Sequence, residues 1–224
     1  MSRTLRATGS GGIDFDSFLS SNAATGEIRT THDARVLILT AETLLALADA
    51  VRDRLGDAVG EVMYGAGHAW GRQRFAEFAA EAEEGDAVLY HMRNMGLDEF
   101  KERFNDQLVR GGWGTFAIEE RFEVVVVHVS NSAFHEMVSS KDRRYADFFA
   151  GFLAGFFSEL IGVTLDAAQI AGFDEPREPC VFVLADEKIV APVRAWLGGG
   201  KGTEEILALL EAKEYEKTPP KAQN

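Results

Sequence analysis

A chain of 224 residues with 36 acidic against 23 basic side chains and a formal net charge of -13 has room for one well-buried domain with tails. Its average field repels phosphate backbones, which excludes nucleic acid as the expected partner. The single cysteine excludes an internal disulfide and a thiolate metal cage, and it fits a reducing cytoplasm. No apolar run approaches the ~20 residues of a spanning helix and the N-terminus holds no signal-peptide core, so neither a membrane span nor secretion is expected.

Residues 1–32 are rich in Ser, Gly and Thr and read as a flexible arm in which only Ile13, Phe15 and Phe18 have apolar surface to pack. R-V-L-I-L at 35–39 predicts a short strand. Thr40 then offers an N-cap hydroxyl to a helix whose Leu44, Leu45, Leu47, Ala48, Val51 and Leu55 fall mostly on one face before Gly56 ends it. A second helix is predicted over 59–82, with Met63, Trp70, Phe75 and Phe78 inward and Arg72, Arg74, Glu77 and Glu81 outward. Its glycines, Gly65, Gly67 and Gly71, have the look of a dinucleotide loop, but no strand precedes them, and close helix packing is the expected use.

Residues 87–95 are ambiguous, and Asp98 is the expected cap of a helix over 99–109 with Phe100, Phe104 and Leu108 in a stripe. Segments 113–119 and 122–129 form a predicted hairpin with its turn near 119–121, and V-V-V-V at 124–127 reads as a central strand covered on both faces. After a short helix or loop at 131–140 comes a Phe-rich helix over 146–162. Phe149, Phe152 and Phe156 recur there at helical spacing, while Gly151 and Gly155 leave a bare strip for another backbone or for a two-fold dimer contact. Strands are predicted at 163–170 and 180–184, with a proline-bearing loop at 174–179 between them.

Two amphipathic helices, 187–197 and 203–217, follow, with Pro192 expected to kink the first or delay its start, and 218–224 is a tail. The sum is an α+β chain, helices on a small antiparallel sheet of about four strands. Its expected layout is an arm at 1–32, a main domain at 33–186, a helical extension at 187–217 and the tail.

M-Y-G-A-G-H-A-W-G at 63–71, G-W-G-T-F at 112–116, and F-F-A-G-F-L-A-G-F-F-S-E-L-I-G at 148–162 followed by C-V-F-V at 180–183 stand in this order. Together, over residues 33–185, they resemble the 4-vinyl reductase domain family. That family is similar in fold to transport-particle (TRAPP) subunits and haem-dependent nitric-oxide sensor domains. It includes a bacteriochlorophyll-biosynthesis protein and the aromatic-sensing domains of phenol and toluene regulators. The resemblance implies a module that binds a small hydrophobic or aromatic molecule in an internal pocket, often as a homodimer. Zinc-containing members place cysteines and a glutamate around the Phe-rich helix and the last strand. Here Ala146, Gln169 and Gly172 stand near those positions and Cys180 is left alone, so zinc is expected to be absent.

The expected ligand-binding set is His68, Trp70, Trp113, Phe116, His128, Phe134, His135, Phe149, Phe152 and Phe156. An imidazole at the bottom of an apolar cavity would orient a phenolic or carbonyl ligand, although a strand-edge and a surface histidine explain His128 and His135 equally. Likewise the phenylalanines serve either a core or a pocket wall. Haem, with His68 or His128 as axial ligand, is a minor alternative. Cys180 reads as a buried small hydrophobe. Ser130, His135 and Glu136 lack a nucleophile elbow, and no hydride-donor fingerprint is present, so no catalytic residue is predicted. The expected function is a cytoplasmic, non-catalytic sensor or carrier of a hydrophobic molecule. The alternatives are an accessory protein of tetrapyrrole metabolism and a dimeric scaffold that docks a protein partner.

Overall fold

The computed structural model describes residues 19–30, 33, 35–81, 96–132, 144–172 and 178–217. The expectations for Ile13, Phe15, Phe18, residues 87–95 and 133–140, and the tail lie outside the described residues, as do the side chains of Leu44, Leu45 and Ala48. The chain divides into two units, Met1–Leu39 and Thr40–Asn224.

In the first unit β1 (Leu19–Asn22) and β2 (Glu27–Thr30) pair as an antiparallel hairpin within the segment expected to be a loose arm. Turn chemistry accounts for it. The Asn22 side chain accepts from Ala24 N at 3.0 Å, and Gly26 takes a φ of 67° that favours glycine. The strand expected at 35–39 is corrected. Arg35 makes an isolated bridge to Arg29 and Val36 N donates to Ile28 O at 2.9 Å, but no ladder continues to Leu39. Branched apolar residues favour an extended backbone, and only a paired neighbour makes it a strand.

The second unit runs α1 (Ala41–Leu55), a 3-10 turn (Gly56–Ala58), α2 (Val59–Glu81), α3 (Leu97–Arg110), β3 (Thr115–Arg121), β4 (Val124–Ser130), α4 (Arg144–Ile161), β5 (Asp166–Ala171), β6 (Cys180–Ala185), α5 (Glu187–Gly198), α6 (Thr203–Glu211) and a final 3-10 turn (Glu214–Lys217). The four strands β3 to β6 form one antiparallel sheet in the order β3-β4-β6-β5. The architecture is α+β.

Alternation along the strands assigns each face. Val127, Val129, Phe182 and Leu184 join the phenylalanines of α4 in one core. Val124, Val126, Val181 and Val183 meet Ile189, Val190 and Val193 of α5 and Ile206 and Leu210 of α6 in the other. The valine run is thus covered on both faces. Fully burying each such side chain is worth about 1.5–3 kcal/mol, so the Phe-rich helix is fixed mainly by what it hides. Among the described residues no helix is long and apolar enough to cross a membrane.

Glycines set how α2 lies on α4. A Cβ on Gly67 would stand 1.9 Å from the Phe148 carbonyl oxygen, and one on Gly71 2.1 Å from that of Phe152. Reciprocally, Gly151 and Gly155 face the carbonyl oxygens of Tyr64 and His68, each at 2.1 Å from an added Cβ. The two helices run parallel, backbone against backbone, and the dinucleotide reading of Gly67 and Gly71 is replaced by close packing. The dimer use of Gly151 and Gly155 is corrected too, because α2 of the same chain occupies that strip.

Four local expectations shift. Thr40 precedes α1, but its hydroxyl meets Thr43 Oγ1 at 3.2 Å instead of capping a backbone N–H. Asp98 lies inside α3, which begins at Leu97. The hairpin turn falls on Phe122 and Glu123, both with positive φ (52° and 66°), where a two-residue turn ordinarily selects Asn or Gly. Here Phe122 packs on the second core and Glu123 accepts from Lys213 Nζ at 2.6 Å. Pro192 neither delays nor ends α5, which starts at Glu187 behind an Asp186 cap that accepts from Lys188 N at 2.9 Å.

Candidate functional site

Two flanks of α2 carry the candidate chemistry. His68 and Trp70 are two residues apart, which on a helix points their side chains roughly 160° from each other. The structure therefore separates two residues that sequence reasoning put in one pocket.

On one flank Trp70 meets Trp113 with ring centroids 4.8 Å apart, Phe148 at 5.8 Å and Phe152 at 4.6 Å. Trp113 is held in the turn before β3 by its own N–H donating to Leu108 O at 3.0 Å, and it lies 6.3 Å from Phe149. Phe116 on β3 lies 5.8 Å from Phe149. Its backbone N–H donates to Asn105 Oδ1 at 2.7 Å, which caps the outer edge of the sheet. Phe149 and Phe152 are buried beneath these rings, whereas Trp70, Trp113, Phe116 and Phe148 are only partly covered by the described residues. Phe156 is deeper, against Phe75, Phe78 and Phe104. Six of the expected site residues thus form one continuous aromatic body.

The remaining expected residues separate from it. Phe134 and His135 lie outside the described residues. His128 is corrected: it shares the parity of Val124 and Val126, so it stands on the sheet face opposite the Phe-rich helix, with Nε2 3.1 Å from Glu119 Oε1. From there it reaches neither a ligand against Trp113 and Phe116 nor a haem in that core.

Cys180 is 7% exposed, its thiol pushed up to about 11 by burial, with Sγ 3.8 Å from the Gly172 carbonyl oxygen. Gln169 and Gly172 neighbour this thiol. An amide, a glycine and one thiol held protonated do not fit a tetrahedral zinc site, however. Among the described residues no group of three or more His, Cys, Asp or Glu is placed to hold a metal ion.

On the opposite flank of α2 a cleft of about 530 Å³ opens between Gly60, Glu61, Tyr64 and His68, the start of α4 at Asp147, the approach to β5 at Thr164 to Asp166, and Glu187 and Arg194 of α5. Its floor is a three-residue network. The Tyr64 hydroxyl donates to Asp166, whose two carboxylate oxygens take the Arg194 guanidinium as a fork, Nη2 to Oδ1 at 2.6 Å. Arg194 Nη2 also donates to Ala167 O at 2.8 Å, and Ala167 N donates to the Tyr64 hydroxyl at 3.2 Å.

These side chains occupy the backbone groups of the edge strand β5, which would otherwise be open to another strand. Burial, with the Asp166 hydrogen bond and charge added, raises the Tyr64 phenol well above its ordinary value, so it stays protonated. Burial acts to lower Arg194, but Asp166 outweighs it and the net direction is up. Sequence reasoning missed this network because its members are 102 and 28 residues apart. Tyr64, one helical turn before His68 in the 63–71 motif, was its only local trace.

No family model matches the chain, and no curated protein matches it. Among solved structures it is similar to the phenol-responsive sensory domain of the transcription activator PoxR with phenol, at 17% identity over 74% of this chain and 83% of that one, TM-score 0.48. A vinyl-4-reductase family protein from Methanocaldococcus jannaschii is similar at 16% identity over 67% and 83%, TM-score 0.43. A trafficking protein particle complex subunit 3 from Naegleria fowleri, covalently bound to palmitic acid, is similar at 9% identity over 64% and 90%, TM-score 0.49. These likenesses concern the fold alone and assign no ligand to this chain.

Proposed function

We propose that the protein is a small-molecule-binding module for a hydrophobic, aromatic ligand, a sensor or carrier that does not turn its ligand over. The observation that carries this reading is the Trp70–Trp113 pair at 4.8 Å. Two indoles remain partly uncovered directly above phenylalanines that are sealed. Flat apolar surface over a packed floor suits a ring that stacks, and an aromatic contact adds about 0.5–1.5 kcal/mol to its area burial. The same reading places the protein in the cytoplasm as a homodimer working without zinc or haem. With the glycine strip of α4 taken by α2, the two-fold contact uses another face.

Tryptophan emission of the full chain, titrated with phenol, with indole and with protoporphyrin, tests the ligand. Saturable quenching by a small aromatic, reduced in Trp113→Leu, is the expected result. It should come with a rise in melting temperature, since a ligand at a hundred times its Kd stabilises by roughly 2.7 kcal/mol. Preference for the porphyrin would favour the tetrapyrrole alternative. Absence of any saturable response, with unchanged melting, would overturn the proposal.

A further inference from the structure

Two glycines end α3, and the backbone accounts for only one of them. Gly112 N donates to Val109 O at 2.9 Å and Trp113 N to Leu108 O at 3.0 Å, the paired bonds of a Schellman motif. Gly112 takes the φ of 75° that this motif asks of the first residue past the helix. Gly111 has no positive φ. Any residue can adopt its backbone, and alanine would hold the end of a helix better.

What glycine supplies at 111 is room for an indole. A Cβ there would stand 2.6 Å from Trp113 Cδ1 and 2.8 Å from Trp113 Nε1, well inside van der Waals contact. The ring is a rigid plane folded back with that edge against Gly111, and its other neighbours leave it little freedom to give way. Trp70 stands at 4.8 Å and Phe149 at 6.3 Å, centroid to centroid. The turn beneath it is equally fixed: Gly114 has a φ of 112°, and a Cβ there would stand 2.5 Å from Ser130 O. A methyl group at 111 must therefore turn the ring, and the ring turns against or away from Trp70.

We infer that Gly111 is a positioning residue of the aromatic wall. It sets the 45° tilt between Trp113 and Trp70, and through that tilt the surface a ligand meets: a flat ring stacked on one indole faces the other nearer its edge, and both are favourable aromatic contacts. The inference rests on the reading of this wall as a ligand surface, but the position of the indole is measured without any ligand.

Circular dichroism of the full chain makes that measurement. Two indoles at this separation and tilt couple as an exciton pair, whereas Trp196, the third tryptophan, packs against the second core. Gly111→Ala should lose or invert the couplet while keeping its helix content, and should bind phenol and indole roughly three- to tenfold more weakly than the wild type. In a Trp113→Leu background, where a flexible side chain can turn aside, adding Gly111→Ala should raise the urea midpoint instead of lowering it. An unchanged couplet in Gly111→Ala, or the same loss of midpoint in the Trp113→Leu background as in the wild type, would overturn the inference and make Gly111 an ordinary helix end. A couplet lost in Gly111→Ala, with a wild type that binds neither probe, would uphold the positioning and refute the ligand reading instead.

Discussion

Replacing Gly151 by alanine tests the closest contact in the fold. The added Cβ would stand 2.1 Å from the Tyr64 carbonyl oxygen and 3.0 Å from His68 N. These neighbours are helix backbone and cannot rotate aside, so α2 and α4 must separate by an ångström or more. That opens the shared strip along which Gly67, Gly71 and Gly155 sit equally close. Overpacking of this kind costs roughly 1–3 kcal/mol, and the better helix propensity of alanine returns at most about 1 kcal/mol. Gly65→Ala is the internal control, because among the described residues nothing lies within 4 Å of a Cβ there. It should gain up to about 1 kcal/mol, and because that propensity gain is common to both changes the gap between them is the overpacking cost itself, roughly 1–3 kcal/mol. For a chain of this size that is a separation in melting temperature of about 2–12 °C. Urea unfolding followed by far-ultraviolet circular dichroism measures it. If the two variants unfold at the same midpoint, the parallel backbone contact is wrong. Gly67→Ala combined with Gly151→Ala should cost less than the sum of the two, since one separation relieves both clashes.

The polar floor and the thiol give two further tests. Tyr64→Phe removes the donor to Asp166 and the acceptor for Ala167 N, and should cost about 1–2 kcal/mol in urea unfolding near neutral pH. A phenol raised in the fold keeps its stabilisation below the ordinary tyrosine value and loses it as pH rises above 10. The wild type should then approach the variant in strongly alkaline solution; a gap that widened there would reverse the sign of the argument. Cys180 is raised from 9.0 to about 11, so its protonated state is favoured in the fold. Between those two values the wild type should lose on the order of 1.4 kcal/mol per pH unit relative to Cys180→Ala, with no such difference below pH 8. Parallel stability curves from pH 8 to 11 would show that the thiol is not buried.

Periodicity carried most of the fold. The stripes of Phe100, Phe104 and Leu108 and of Phe149, Phe152 and Phe156 are core in the structure because a helix face has one repeat and hydrophobic burial reads it directly. The alternation from Phe116 to Val129 placed two strands for the same reason. What failed were features set by a single partner. A two-residue turn built from Phe122 and Glu123 is invisible without Lys213, which comes 90 residues later. Pro192 sits inside a helix because Asp186 and the buried Ile189, Val190 and Val193 hold the first turns in place around it.

The candidate site divides in the same way. Trp70, Trp113 and the phenylalanines were legible because large aromatics near glycine turns are costly to leave in water, so finding them grouped follows from composition and spacing. His68 and Trp70 looked like one site because sequence proximity hides helical direction, and His128 was misplaced because one residue of strand register exchanges the two faces of a sheet. The parity of β4 was nonetheless present in the sequence. If Val127 is fully covered by the phenylalanines of α4, His128 beside it cannot be. Applied to α2, the same rule makes the 63–71 motif serve three directions at once: Gly67 and Gly71 toward α4, Trp70 toward the aromatic wall, and Tyr64 and His68 toward the cleft. A helix pinned by its own backbone on one side holds two chemically different surfaces, one aromatic and one polar, in fixed register on the other two, and only the helical period, not the order of residues in the motif, tells them apart.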